Sequence, residues 1–465
     1  MTQTIDKDVT TLRAAVKGAV LLPGDEGYGE ARTVWNGDID RRPAVIVRCA
    51  GPDDVAAALR YGQDAGLEVA VRGGGHGYWG AAIAEGGLVV DLSPLDHVTV
   101  DPEARRARVG GGAKLGQLDA ATQEHGLAVP AGTVSHTGVG GLTLGGGWGW
   151  FSRMHGFTID NLESAQVVLA DGRCVTASAT EHPDLFWALR GGGGNYGVVT
   201  EFEFRLHPVG PVVPFAMLFV EQDRAAHALR AARDVVSGLD RTVSPGIACI
   251  CAPPAPFVPP EHNFAPVVAL ILIGFGDPEE HAAATAAARA ALQPLFEVVD
   301  PIPYVALQQM LDDGVPWGIR SYAKGLYLDD LPDSAIDALA AQLPRKRSPQ
   351  SEVLILPLGG GAISDVADDD TAFGGSRSLR YVVAIECMAT DEESFVHDRQ
   401  WVRDIWDAMR PAAVHDGAYV NLNAEFAGDS LRNTYGAAKF DRLRTIKAQY
   451  DPANVFRHNA NIPPA

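Results

Sequence analysis

Cysteine is scarce: Cys49, Cys174, Cys249, Cys251 and Cys387 are the five in 465 residues. Their number and scatter exclude a disulfide framework, and without a C-x-x-C spacing they exclude a zinc finger or ribbon. Cys249 and Cys251, two apart, read as neighbours on one strand face. No other metal-ligand spacing is present, so no metal is expected. Positive charge is also short, with 38 basic against 58 acidic residues and a formal charge of −20. A surface of that sign repels phosphate backbones and anionic lipid, so nucleic acid and membrane partners are not expected. No apolar run approaches the roughly 20 residues of a membrane span. The opening stretch "MTQTIDKDVTTLRAAVKG" has acidic residues where a secretory leader needs basic ones, so a cytoplasmic location is expected. A G-x-x-x-x-G-K-[ST] phosphate loop is absent as well.

Glycine is what the chain has in quantity, 51 residues gathered largely into three loops. The first, "VRGGGHGYWG" from Val71 to Gly80, ends a β-α-β unit. In that unit Pro52 suits the first helical turn, Asp53 and Asp54 its positive end, and Gly66 its stop. The second runs from Gly132 to Gly156, "GTVSHTGVGGLTLGGGWGWFSRMHG". The third, Gly191 to Gly194, follows a hairpin turning at Asp171-Gly172 and a short helix, and leads into a strand alternating Phe202, Phe204 and Leu206.

Gly75, Gly77 and Gly80 satisfy G-x-G-x-x-G, but only "AAIAEGG" separates the loop from the next strand, "LVVDLS". No helix fits there to receive a pyrophosphate, which excludes a nicotinamide-type dinucleotide fold. Three separate glycine loops instead suit an extended ligand lying against the backbone at several strand ends, and a flavin dinucleotide has that length. His76 stands alone in the first loop, where an imidazole nitrogen can act as nucleophile toward an electrophilic carbon. Beyond Pro208 the glycine loops largely stop. Strands such as "PVVALILIGFG" and "RYVVAIECMAT" alternate with Ala-rich helices until about Arg410, which predicts an inserted domain.

The segments "RGGGHGYWG", "PAGTVSHTGVGGLTLGGGWGW", "DNLESAQVVLADG", "PDLFWALRGGGGNYGVVTEFEF" and "YDPANVFRHNANIPP" together resemble the berberine-bridge-enzyme-like branch of the vanillyl-alcohol-oxidase flavoprotein superfamily. Within it they resemble the bacterial 6-hydroxy-D-nicotine-oxidase type. The resemblance spans nearly the whole chain and is weakest from 210 to 375. It implies an α+β protein: a PCMH-type FAD-binding domain over 1–208, an inserted substrate domain of antiparallel sheet and helices over 209–410, and a segment over 411–465 that returns to the first. It implies FAD contacts from Arg72, Gly73, Gly74, Gly75 and Gly77 in the first loop. In the second it implies Gly132, Thr133, Thr137, Gly138, Gly140, Gly141, Thr143 and Gly145. Asn195, Gly197, Val198 and Val199 follow in the third, and Tyr419, Asn421 and Asn459 near the end. His76 matches the position bonded covalently to the flavin 8α-methyl carbon. Members with a second, cysteinyl bond carry cysteine where this chain has Val134, so attachment through His76 alone is expected.

Oxidising an alcohol or amine needs a hydride acceptor, flavin N5, and a group that takes a proton. By resemblance Tyr419, in the Y-x-N of "GAYVNLN", is the leading base. A phenol titrating near 10 needs nearby positive charge or hydrogen bonds to its oxygen for that task. Tyr78 matches a tyrosine that orients substrate. From the residues themselves, Glu386 shares a strand face with Val382 and Ala384, where a buried carboxylate serves as base, amine anchor or partner of an arginine. His136, Trp148 and Trp150 are further candidates for the wall, and Trp317, Tyr322 and Tyr327 for stacking on a ring. Thr137 stands near the position that gates oxygen, where members usually have a small apolar residue. The expectation is an FAD-linked oxidase acting on a small-molecule alcohol, a sugar or secondary metabolite, with O₂ reduced to H₂O₂. The alternatives are an amine or N-heterocycle substrate, and a dehydrogenase with another acceptor.

Overall fold

A computed structural model describes residues 2–426 and 429–465. The β-α-β unit comprises strand Val45–Arg48, helix Pro52–Asp64 and strand Val69–Arg72. Pro52 opens the helix, where its missing N–H leaves nothing unsatisfied, and Asp53 and Asp54 sit in the first turn. The two strands do not touch. Leu88–Asp91 lies between them, parallel to both, and Ala19–Leu21 closes the edge antiparallel to Val45–Arg48. No helix intervenes between Arg72 and Leu88, so the loop bearing His76 crosses from strand to strand without one.

A second, antiparallel sheet orders strands Val98–Asp101, Arg106–Gly110, Val198–Arg205, Leu162–Val168 and Cys174–Ser178. The last two form the hairpin read at Asp171-Gly172, with Gly172 at φ 84, a left-handed value glycine adopts without strain. Phe202, Phe204 and Leu206 alternate onto one buried face. Leu115 and Leu118, Leu185 and Phe186, and, from the far end of the chain, Leu443, Ile446 and Tyr450 share their core. The C-terminal helix Ala437–Tyr450 thus packs on the N-terminal half.

The intervening residues build a seven-stranded antiparallel sheet. Its spatial order is Phe296–Val299, Phe215–Glu221, Pro266–Gly274, Val243–Cys251, Glu352–Pro357, Tyr381–Ala389, Arg320–Leu328. Side chains of a strand alternate between faces. Leu218, Leu270, Val353 and Ile385 point to one side and pack on Leu229, Leu292, Ile336 and Ile405 of four covering helices. The other side, with Met217, Ile271, Leu354 and Ala384, packs in part on Tyr304 and Leu307 of the short helix Tyr304–Gln309 and shares a cavity with the glycine loops. Among the described residues no helix is long and apolar enough to cross a membrane.

Candidate active site

This second face of the seven-stranded sheet and the first two glycine loops enclose a cavity of about 1160 Å³. That exceeds the range of roughly 300–1,000 Å³ usual for one small ligand. The two loops meet backbone to backbone: a Cβ on Gly74 would lie 2.3 Å from the Gly138 nitrogen. Only glycine permits that approach. Gly77 and Gly141 also line the cavity, and a Cβ on either would meet no atom within 4 Å. Gly73, Gly75, Gly132, Thr133, Thr137 and Gly138 complete this bare-backbone wall. Such a surface suits a flat, extended cofactor such as FAD, which the glycines let lie close to the main chain.

His76 projects from that wall. Its ring stacks on Trp35 at 4.4 Å with 10° between planes, and its Nε2 lies 3.1 Å from His136 Nδ1. Burial, then the neighbouring His136, lowers its pKa to about 3, so the imidazole is neutral at physiological pH and keeps a lone pair. His136 stands behind His76, with its own Nε2 buried and unpartnered. Val134 lines the cavity and offers no thiol.

Two residues along the same loop from His76, the Tyr78 hydroxyl donates to Glu386 Oε2 at 2.8 Å. Glu386 is 5% exposed and is held by this phenol rather than by an arginine. Burial raises its pKa, an effect the Tyr78 hydrogen bond only partly offsets; burial and the Glu386 charge push the Tyr78 phenol well above its usual value. Beside Glu386, directly across the strand pair, stands Glu352. Its pKa is likewise raised, first by burial and then by the charge of Glu386. Among the described residues neither a salt bridge nor a side-chain hydrogen bond engages Glu352.

Tyr419 also lines the cavity, in the turn before Val420–Leu422. Its oxygen accepts from the Gly147 N–H at 2.7 Å and from Asn421 Nδ2 at 3.0 Å. Burial nevertheless raises its pKa to about 12, these two bonds pulling the other way. The lowered value sought for a tyrosine base is therefore not found in the protein alone, because among the described residues no cation acts on the phenol. Asn421 completes the cluster by donating to Leu142 O at 2.9 Å. A Cβ on Gly145 would fall 2.0 Å from its Oδ1, which accounts for that glycine.

The structure does not bring the other residues read as cofactor contacts to this cavity. Arg72 turns away and hydrogen-bonds the carbonyl of Ala31. Gly140 packs with Gly111 O 2.9 Å from where a Cβ would be, and Gly197 against Val167 at 2.5 Å. The Thr143 hydroxyl is buried without a partner. Asn195 donates to Gly192 O and Ala460 O and accepts from the Ile462 N–H, while Asn459 donates to Gly194 O; these amides tie the third loop to the C-terminal tail. Val198 and Val199 are buried in the second sheet. Trp148 and Trp150 do line the cavity, edge-on to each other at 5.5 Å. Trp317, Tyr322 and Tyr327 do not: Trp317 lies under Lys114, Tyr322 under Arg399 and Arg403, and Tyr327 is buried with its hydroxyl on Gly374 O.

Two residues the sequence reading passed over complete the site. Glu352 opens the strand "EVLILP" on the face of Leu354 and Leu356, and a lone charge on an apolar strand face was its only signal. Asn36 is 1% exposed; it donates to Tyr78 O at 2.6 Å and Ser321 O at 2.8 Å, and accepts from the Ser321 N–H at 2.9 Å. It clips the first loop to the sheet, and nothing in its local sequence announces it.

Comparison with known proteins agrees with this geometry. Residues 43–178 match the family described as FAD binding domain, and 418–463 the family described as berberine and berberine like. The chain is 30% identical over 475 residues to (R)-6-hydroxynicotine oxidase of Paenarthrobacter nicotinovorans, covering 97% of each. It is 39% identical over 214 residues to glucooligosaccharide oxidase of Sarocladium strictum, covering 45% of this chain and 43% of that one. The crystal structure of 6-hydroxy-D-nicotine oxidase from Arthrobacter nicotinovorans superposes with a TM-score of 0.85 at 27% identity, covering 97% of this chain and 98% of that one.

Proposed function

Because the chain belongs to the berberine-like FAD-linked oxidoreductases, we propose that it is an oxidase whose FAD is bonded through His76 alone. It removes hydride from a carbon bearing oxygen or nitrogen in a small organic molecule, and O₂ is the final acceptor. Residues 1–208 and 411–465 hold the cofactor, and 209–410 roof the substrate. When bound, FAD supplies a two-electron acceptor at N5. The glycine wall from Gly73 to Gly77, with Gly132, Thr133, Thr137, Gly138 and Gly141, receives it, and Asn421 steadies Tyr419 at its edge.

We assign the Nε2–H of His76 to His136 Nδ1, which leaves the lone pair on Nδ1 for the flavin methyl carbon. Trp35 fixes the plane of the ring. Tyr78, from the first glycine loop, and Glu386, from the roof, touch the substrate, with Glu386 taking the proton from the group being oxidised. Tyr419, holding its own proton at neutral pH, donates a hydrogen bond into the cavity. A single observation carries this reading: His76 on a bare-backbone wall and the buried carboxylate of Glu386 line one cavity.

The final acceptor is tested by photoreducing the purified protein without oxygen and then admitting air. Yellow colour is expected to return as fast as mixing allows. Recovery over hours, cut short only by an added quinone or dye, would mean a dehydrogenase and contradict the oxidase reading.

A further inference from the structure

The second glycine loop is fastened at two points to the segment 304–312. Gln308 Nε2 donates to Gly132 O at 3.0 Å, and Asp312 accepts from the Ser135 N–H at 2.8 Å and from the Ser135 hydroxyl at 2.5 Å. Gly132 lines the cavity, and so do Ala306 and Gln309 of helix Tyr304–Gln309, which carries Gln308. Behind Gln308 stands Asp119, on helix Leu115–Gln123, which packs on the first helix. Its Oδ2 lies 3.5 Å from Gln308 Nε2, at the outer limit of a hydrogen bond. Asp119, Gln308 and Tyr304 are all buried between the two helices, and the Asp119 charge acts on the Tyr304 phenol.

The polar atoms of this group do not balance. Gln308 spends its two N–H bonds on Gly132 O and Asp119, while its own Oε1 and the Tyr304 oxygen are buried without a partner. An ionised Asp119 would add a further acceptor where oxygens already outnumber donors, together with a charge that nothing neutralises. Among the described residues no lysine, arginine or histidine acts on it; Asp312, of its own sign, is the charge in reach, and Tyr304 the other titratable neighbour. A proton on Asp119 relieves both deficits, removing the charge and supplying a donor. Burial raises the Asp119 pKa to about 7, with the Gln308 bond pulling it down and the Asp312 charge pushing it up.

We propose that Asp119 is a positioning residue for the cofactor wall: as the neutral acid it leaves Gln308 on Gly132 O and the second glycine loop fastened, and as the carboxylate it draws Gln308 away and frees that loop. The inference goes beyond the function proposed above and rests on it only for what the loop holds. A charged acceptor binds an N–H about twice as strongly as a neutral one, so ionisation shifts Gln308 Nε2 from the Gly132 carbonyl toward Asp119. Only a proton moves, from the carboxyl O–H to water. Because the folded pKa stands above the ordinary 3.8, the contribution of Asp119 is present at low pH and is lost as pH rises from about 3.8 through about 7. The loop carries Thr133, Val134 and Thr137 of the wall, and also His136, which meets His76. Its fastening therefore sets the surface against which the flavin lies.

Hydrogen exchange read by mass spectrometry on the whole purified protein tests this, on the peptide spanning 130–139 and after correction for the intrinsic pH dependence of exchange. The Ser135 and Thr137 N–H groups are hydrogen-bonded there and report the opening of the loop. Their exchange is expected to be at least tenfold faster at pH 8.5 than at pH 6. Asp119→Asn, which keeps a donor and never ionises, is expected to hold the loop at both pH values as firmly as the unaltered protein does at pH 6. Gln308→Leu is expected to free it at both. Equal protection of the unaltered protein at the two pH values would overturn the proposal even if neither variant folds, and so would an Asp119→Asn protein that still loosens at pH 8.5. Exchange reads the backbone whether or not pigment is bound. A colourless protein that loosens as expected would sink the flavin reading and leave this one standing, and a yellow protein with a pH-indifferent loop would do the reverse.

Discussion

Tyr419 and Glu352 show how residue identity and surroundings divide the chemistry. The Tyr419 oxygen already accepts two hydrogen bonds and burial raises its pKa to about 12, so the role proposed for it is a donated hydrogen bond rather than a proton taken. Tyr419→Phe is expected to lower kcat about tenfold to a hundredfold with flavin attachment intact, a loss smaller than removing a proton acceptor, which costs about 10²–10⁴. Stopped-flow reduction of the flavin checks it. Glu352 makes a separate prediction about stability. Its folded pKa is raised above the ordinary 4.5, so the native state binds more protons than the unfolded chain above that pH. Its contribution is therefore present at low pH and is lost as pH rises from about 4.5 through the raised value, at up to about 1.4 kcal/mol per pH unit. Glu352→Gln should raise Tm at pH 8 and change it little at pH 4, as read by thermal melts in matched buffers. At this scale the glycine loop marks His76, the strand period marks Glu386 and the resemblance marks Tyr78, and all three line the cavity. Glu352 could not be read in this way, since its meaning depends on a partner 34 positions away in the chain (386 − 352) that only the strand register places opposite it.

At the scale of elements, the site depends on how the first glycine loop is pinned to the sheet. Asn36 donates to Tyr78 O and Ser321 O and accepts from Ser321 N, so one buried amide sets the reach of the Tyr78 hydroxyl to Glu386. Asn36→Ala leaves buried backbone groups unpaired, each costing about 1–3 kcal/mol. The expected result is a lower Tm together with at least a tenfold drop in kcat/KM, the second from a displaced Tyr78. The first β-α-β unit and the Asp171-Gly172 hairpin were plain in the sequence, because Pro52, Gly66 and Gly172 punctuate them locally. That Leu88–Asp91 inserts between the two parallel strands was not, because strand neighbours are chosen by packing among distant segments. The order of the seven-stranded sheet was hidden for the same reason.

The whole molecule is assembled across its parts by buried polar contacts as well as apolar ones. Arg377 reaches Asp160 with two bonds, 2.7 and 2.8 Å, while its guanidinium lies over Phe157 and Phe373. Both side chains are almost fully buried, so removing one strands the other's charge, an effect of about 3–5 kcal/mol. Arg377→Ala should lower Tm sharply in calorimetry, and Arg377→Lys, which lacks the planar fork, should recover only part of it. The return of the C-terminal helix to the core of the second sheet was expected from the resemblance, and Leu443 and Ile446 carry it.

The most direct measurement of the central claim is mass spectrometry on acid-precipitated, protease-digested protein. The account predicts a yellow pellet and one peptide, spanning Val71–Gly80, heavier by a single flavin attached at His76. Colour released wholly to the supernatant, or a flavin joining that peptide to a second one, would contradict it.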